Sequence, residues 1–260
     1  MQGAHKIALI GHQGRMGRLF ATRLGDAGYM VAGVDRPLLP ADLAAACDHA
    51  HVVLLCVPVE ALPAVLQQVV PHMDGTQVLA DITSVKVRPH DVMEAAYSGP
   101  VVGTHPLFGP EPKDDHQLVA VTPGANAAPQ HVALVERLFA DMGFCPFRTT
   151  AEEHDNAAAY IQGLNFISSV AYLATLAHRE ELLPFLTPSF QRRLDAARKM
   201  LTEDAALFEG MFEANPMSQD AVRSFRSFLS FAAAGDVDVL VERARWWWRD
   251  EHSKEGVRPA

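Results

Sequence analysis

The sequence predicts a doubly wound α/β domain, built on a parallel sheet (a Rossmann arrangement), followed by an all-α region. Three observations carry that prediction. Short apolar runs alternate with amphipathic, helix-length segments up to about residue 150. A loop with glycines at 11, 14 and 17 lies between the first apolar run and the first amphipathic segment. Beyond residue 150, strand-like runs give way to helical periodicity.

Residues 6–10 form a short apolar run that ends at Gly11 and predict the first strand. Residues 15–24 follow as a helix, with Met16, Leu19, Phe20 and Leu24 on one face. Residues 30–34 are the second strand. Residues 51–57 are the third, and their unbroken apolar character suits a strand covered on both faces. A helix over 60–70 and a strand over 76–82 come next, then strands over 100–103 and 118–122. One long helix is expected over 152–178. Pro184 and Pro188 then punctuate the chain before helices over 188–201, 204–213, 218–234 and 237–252. The change of pattern at Thr149-Thr150 divides the chain into a dinucleotide-binding domain, 1–150, and a helical domain, 151–260.

Bulk properties narrow the function classes. With 260 residues, 49% of them hydrophobic, the chain can bury a sizeable core. A net charge of −9 argues against nucleic acid as the main partner, and an anionic substrate would need a locally basic pocket. No apolar run reaches membrane-spanning length, so no membrane partner is expected. Residues 1–6 lack the pattern of a signal peptide, and Cys47, Cys56 and Cys145 form no Cys-x-x-Cys pair. Buried thiols in a cytoplasmic protein are the expectation. The histidines form no His-Glu-x-x-His or similar pair, so no metal is expected.

The glycine loop reads Gly11-His12-Gln13-Gly14-Arg15-Met16-Gly17. Backbone N–H groups at the start of a helix, aided by its dipole, bind a pyrophosphate. Gly11 supplies the tight turn, Gly14 lets a cofactor approach, and Gly17 lets helix and strand pack. Gln13, Arg15 and Met16 belong to the same cofactor-binding turn. His12 occupies the first-glycine position of the usual Gly-x-Gly-x-x-Gly pattern, so the spacing is Gly-x-x-Gly-x-x-Gly. Asp35 ends the second strand, where a carboxylate accepts hydrogen bonds from the ribose hydroxyls of NAD. Arg36 beside it could instead pair with a 2′-phosphate, which leaves NADP open.

Ligands of a doubly wound sheet bind at the carboxyl ends of its strands. Val57-Pro58 ends the third strand and adds to the cofactor site. Ser84-Val85-Lys86 follows the fourth strand, and His105 follows the fifth. A serine, a lysine and a histidine beside a nicotinamide can orient and deprotonate an alcohol. Neutral histidine suits the proton-accepting role near neutral pH.

These residues carry a resemblance. Gly103-Thr104-His105-Pro106-Leu107-Phe108-Gly109-Pro110 is similar to the catalytic-histidine motif of prephenate dehydrogenases. Asp81-Ile82-Thr83-Ser84-Val85-Lys86 resembles their serine-containing motif. Glu153-His154-Asp155 with Tyr160-Ile161-Gln162 resembles the start of their first C-terminal helix. The likeness is to the dehydrogenase portion of the bifunctional chorismate mutase–prephenate dehydrogenases, and runs from about Lys6 to Trp248.

The resemblance implies NAD-dependent oxidative decarboxylation of prephenate to 4-hydroxyphenylpyruvate, a step towards tyrosine. His105 would be the proton acceptor and Ser84 its partner at the substrate hydroxyl. His154 and Gln162 would line the substrate pocket. The family's carboxylate-binding arginine falls on Lys199, with Arg198 beside it, and lysine lacks arginine's bidentate fork. A homodimer through the helical domain is also implied. Trp246-Trp247-Trp248 cannot all face one way, so some are expected to be buried against another helix or subunit. Arogenate is an alternative substrate, and an NAD-binding sensor without catalysis is an alternative role for the fold. The glycine loop also resembles that of dihydrodipicolinate reductases. Their paired histidines are missing from this chain.

Overall fold

A computed structural model describes residues 5–112 and 117–249. The first half alternates strand and helix: β1 (Lys6–Ile10), α1 (Arg15–Asp26), β2 (Met30–Val34), α2 (Pro40–Cys47), β3 (Val52–Leu55), α3 (Leu62–Val69), β4 (Val78–Asp81) and α4 (Val87–Ala96). It continues with β5 (Val101–Pro106), β6 (Leu118–Pro123), α5 (Pro129–Asp141) and β7 (Cys145–Arg148). The seven strands form one sheet in the order β2-β1-β3-β4-β5-β6-β7. This is the expected doubly wound α/β architecture, but α2, α4, α5 and β7 were not anticipated and one strand direction differs. β6 runs antiparallel to β5, while the other neighbours are parallel. The connection from Pro106 to Leu118 is too short for the helix-bearing crossover that a parallel return requires.

Strand alternation builds two cores. Ile7 and Leu9 of β1 join Phe20, Val52, Leu54 and Phe139 on one face. Ala8 and Ile10 join Leu43, Val53, Leu55 and Leu66 on the other. Both faces of the central strands are therefore dry, which explains their continuous apolar sequence. Each such leucine or isoleucine contributes about 1.5–3 kcal/mol by burial. The three cysteines are free thiols.

The helical part comprises α6 (Ala151–Ala158), a π-helical turn (Ala159–Gly163), α7 (Leu164–Thr175), α8 (Pro188–Thr202), α9 (Ala205–Ala214), α10 (Ser218–Ala234) and α11 (Val237–Ala244). The expected single helix over 152–178 is thus interrupted by the π turn and stops at Thr175. The last predicted helix ends early, in a 3-10 turn over Arg245–Trp248, and its predicted residues 250–252 lie outside the described residues. Among the described residues, no helix is long and apolar enough to cross a membrane.

The chain divides into two compact units, Met1–Ser218 and Gln219–Ala260. The division therefore falls well after the Thr149-Thr150 break in periodicity. The reason lies in α6, where Asp155 is fully buried and accepts the backbone N–H groups of Lys86 and Val87 at 2.7 and 2.9 Å. That binds the first helices beyond residue 150 to the sheet domain. Within the second unit Trp246, Trp247 and Trp248 are 53%, 63% and 68% exposed, so the expected burial against another helix does not occur. They lie on the terminal 3-10 turn, where Trp246 and Trp247 meet edge to face and Arg249 covers Trp246.

Candidate active site

The glycine loop owes its shape to close backbone contacts. Gly11 has φ +85°, and a Cβ there would lie 2.4 Å from the Cys56 carbonyl oxygen. A Cβ on Gly17 would lie 2.2 Å from the Gly11 carbonyl oxygen. Both obstacles are backbone, so neither can swing aside. Gly14 is the exposed N-cap of α1, and no side chain caps that helix. The N–H groups of Arg15, Met16 and Gly17 have no carbonyl one turn back to bond. This uncapped, unobstructed helix start fits a pyrophosphate.

His12 is accommodated by the neighbouring strand. Its ring lies against Gly33 of β2, where a Cβ would sit 2.6 Å from the imidazole Cγ. Asp35 stands at the end of β2. Its carboxylate accepts the backbone N–H of Gln13 and of Arg36, each at 2.8 Å. Burial pushes its pKa up, but those two bonds and the nearby His12 and Arg36 charges outweigh it and hold Asp35 below the usual carboxylate value. The ionised group is thus fixed at the strand end, with lone pairs left for ribose hydroxyls. The Arg36 side chain is exposed. Arg15 is paired with Asp204 at 3.4 Å, and the half-buried Met16 packs against the core. Val57 flanks Gly11, and the exposed Pro58 opens the following turn.

Beyond β4 the chain makes a buried polar knot. Lys86 is fully buried, and its ammonium donates to Asp81 and to the Thr104 carbonyl, both at 2.6 Å. Thr83 also donates its hydroxyl to Asp81. Burial pulls the Lys86 pKa down, and the Asp81 and Asp155 carboxylates oppose that shift. Lys86 is therefore a structural cation that ties the strand ends together, and not a free group for substrate.

His105 lies within β5 rather than after it, and is 5% exposed. Its Nδ1 is 2.9 Å from Nε2 of His154. Nδ1 of His154 is 2.8 Å from the Asp155 carboxylate. Burial, then the neighbouring His154 and Lys86, hold His105 well below the ordinary histidine pKa. A neutral imidazole with one nitrogen anchored is what a proton acceptor needs.

Both nitrogens of His154 are engaged, so the expected contact of His154 with substrate is not what this geometry offers. Asp155 carries the arrangement and was not singled out from the sequence. The signal was the Glu153-His154-Asp155 run itself, a carboxylate adjacent to the histidine. Ser84 is half-buried in the turn between β4 and α4. Gln162, eight residues after His154, would sit about 80° round a regular α-helix. The π turn winds more slowly and brings it back towards the His154 face. Arg198 and Lys199 are exposed near the end of α8 and join no ion pair among the described residues. The Arg15–Asp204 pair places the turn after α8 beside the glycine loop. Among the described residues, no group of three or more histidine, cysteine or carboxylate side chains is placed to hold a metal.

Residues 38–144 match the family described as prephenate dehydrogenase, nucleotide-binding domain. Over those residues the chain is similar to the nucleotide-binding domain of prephenate dehydrogenases. The T-protein of Enterobacter agglomerans is 28% identical over 259 residues, which cover 95% of this chain and 68% of that protein. The T-protein of Haemophilus influenzae is 30% identical over 211 residues, covering 78% of this chain and 55% of that protein. The chain thus spans about half to two thirds of these relatives. A solved Aquifex aeolicus prephenate dehydrogenase, in complex with hydroxyphenyl propionate and NAD+, shares the fold. Its TM-score is 0.76 at 19% identity, over 98% of this chain and 99% of that one.

Proposed function

We propose that the chain is an NAD-dependent dehydrogenase that oxidatively decarboxylates prephenate, or its amino analogue arogenate, with His105 as the proton acceptor. The observation that carries this reading is the anchored, buried His105 at the carboxyl end of β5, on the same sheet edge as the glycine loop. NAD, when bound, supplies the hydride acceptor. The α1 N-terminus and Gly14 hold the pyrophosphate, and Asp35 accepts the ribose hydroxyls. Its negative charge opposes a 2′-phosphate, which favours NAD over NADP.

His105 takes the proton of the ring hydroxyl through Nε2 as the carbinol C–H departs as hydride. The ring carboxylate leaves as CO2, and its bonding electrons complete the aromatic ring. Ser84 hydrogen-bonds the reacting oxygen. Arg198 or Lys199 holds a substrate carboxylate, since a −9 chain needs a local cation for a dianion. Gln162 lines the same pocket. The Aquifex aeolicus protein with its hydroxyphenyl ligand and NAD+ supports this substrate class. We also assign homodimerisation to residues 151–260. An apolar groove of about 490 Å³ lined by Phe166, Val170, Leu201 and Phe212 supports it, as do the exposed tryptophans.

The test is NADH formation by the purified chain with prephenate and with arogenate, using NAD and NADP in turn. Turnover with NAD on either substrate is expected. NAD binding with no NADH from either substrate would instead make the chain a non-catalytic NAD sensor.

A further inference from the structure

We propose that Asp155, acting through His154, fixes His105 as the tautomer whose Nε2 is free, so that both are positioning residues for proton abstraction. The inference rests on the dehydrogenase reading of His105. It follows from counting donors and acceptors along one buried line. Both oxygens of the Asp155 carboxylate accept backbone N–H groups, Oδ1 from Lys86 and Oδ2 from Val87, so the group serves as the acceptor at the end of this line. Its contact with His154 at 2.8 Å therefore requires a proton on Nδ1 of His154. Neutral His154 then presents a lone pair at Nε2. The 2.9 Å contact with His105 in turn requires a proton on Nδ1 of His105. The remaining nitrogen of His105, Nε2, is left with its lone pair. No other assignment of a neutral pair satisfies every contact.

Three elements share the line: β5 carries His105, α6 carries His154 and Asp155, and the start of α4 supplies the two N–H groups. The imidazole planes cross at 73°, an edge geometry suited to a ring N–H pointing at a ring nitrogen. All three side chains are buried, so water does not compete for these bonds. Asn215 donates to the Asp155 carbonyl at 2.8 Å and fixes the backbone behind it. The other charges facing His105 are Lys86 and, through Lys86, Asp81. When Nε2 takes the substrate proton, the imidazolium gains a carboxylate one ring away. No oxidant or further reactant is needed, since only a proton moves.

The experiment compares wild type, Asp155→Asn and His154→Gln in turnover, cofactor binding and nitrogen-15 NMR of the histidine rings. In Asp155→Asn the amide cannot accept both backbone N–H groups and the His154 proton, so the anionic anchor is lost and the proton of His105 is no longer held on Nδ1. The expected loss in kcat is about 10²–10⁴-fold, as for other wrong-tautomer bases, with KM and NADH affinity changed only a few-fold. The kcat–pH profile should lose its neutral plateau and rise with pH. His154→Gln leaves the Asp155 clamp on Lys86 and Val87 in place, and serves if the first variant fails to fold. It should lose kcat by roughly 10-fold or more, within the range of an impaired general base. The NMR arm reads the tautomer without turnover, so it stands even if neither substrate is oxidised. Wild-type His105 protonated at Nδ1 is expected, and protonation at Nε2 overturns the proposal. So does a rise in KM with unchanged kcat in both variants, which would make His154 a substrate contact.

Discussion

At the scale of single residues, the site depends on charges held out of water in fixed pairs. Lys86 and Asp81 are both fully buried and 2.6 Å apart. Replacing Lys86 by Met leaves a buried carboxylate without its partner, which costs about 3–5 kcal/mol. Urea unfolding of Lys86→Met should show that loss, whereas Lys199→Met, at an exposed position, should be near neutral. His105 makes the opposite use of burial, since it stays neutral. Its folded pKa lies well below the ordinary value of about 6.5. Between those two values the unfolded chain binds the extra proton. Stability from this group is therefore complete above pH ~6.5 and is lost as pH falls through that window. His90, whose pKa burial also lowers, adds a loss of the same sign. Thermal unfolding followed from neutral pH downwards should fall less steeply for His105→Asn than for wild type. The acid limb of kcat/KM should likewise lie below the ordinary histidine value.

Elements decide which of these residues meet. The N-cap of α6 is Thr150, whose hydroxyl accepts the Glu153 N–H while the Glu153 carboxylate accepts the Thr150 N–H. That capping box fixes the start of the helix that delivers His154 and Asp155. Thr150→Ala should cost about 1 kcal/mol in unfolding free energy and lower kcat more than NADH affinity. At the glycine loop, a Cβ on Gly17 would meet the Gly11 oxygen at 2.2 Å. Gly17→Ala should therefore weaken NADH binding, read by fluorescence titration, as well as stability.

β1 to β6, the glycine loop, α1 and α3 were legible because local periodicity and turn chemistry set them, whereas α2, α4, α5 and β7 were not singled out. Their motifs made His105 and Ser84 candidates from the sequence, although His105 lies within β5 and not after it. The antiparallel β6 was not, because strand direction depends on the length and content of the preceding loop. Asp155 was missed because its role arises from a contact with Lys86 and Val87, 69 and 68 positions away in the chain. The π turn after α6 was equally invisible to a 3.6-residue pattern, although it governs where Gln162 points. Lys86 shows the converse error. Its place in the motif suggested a cation at the substrate, and only packing reveals it as a buried tie.

At the scale of the molecule, exposed apolar side chains offer a surface for the proposed homodimer. Val237, Val239 and Val241 are 52%, 49% and 47% exposed, alongside the three tryptophans. Burial of such a surface between two copies matches the proposed homodimer. Light scattering after size exclusion should give twice the 28.3 kDa chain mass, and replacing Trp247 and Trp248 by Ser should shift it towards the monomer. The central claim concerns chemistry, and it brings the fold, the loop and the histidine line to one reaction. Its most direct test is steady-state NADH formation from NAD with prephenate and with arogenate, for wild type and His105→Asn side by side. The account predicts turnover by wild type and a loss of kcat of about 10²–10⁴-fold in the variant, with NAD still bound. Equal rates for the two proteins, or no NADH from wild type with either substrate, would contradict it.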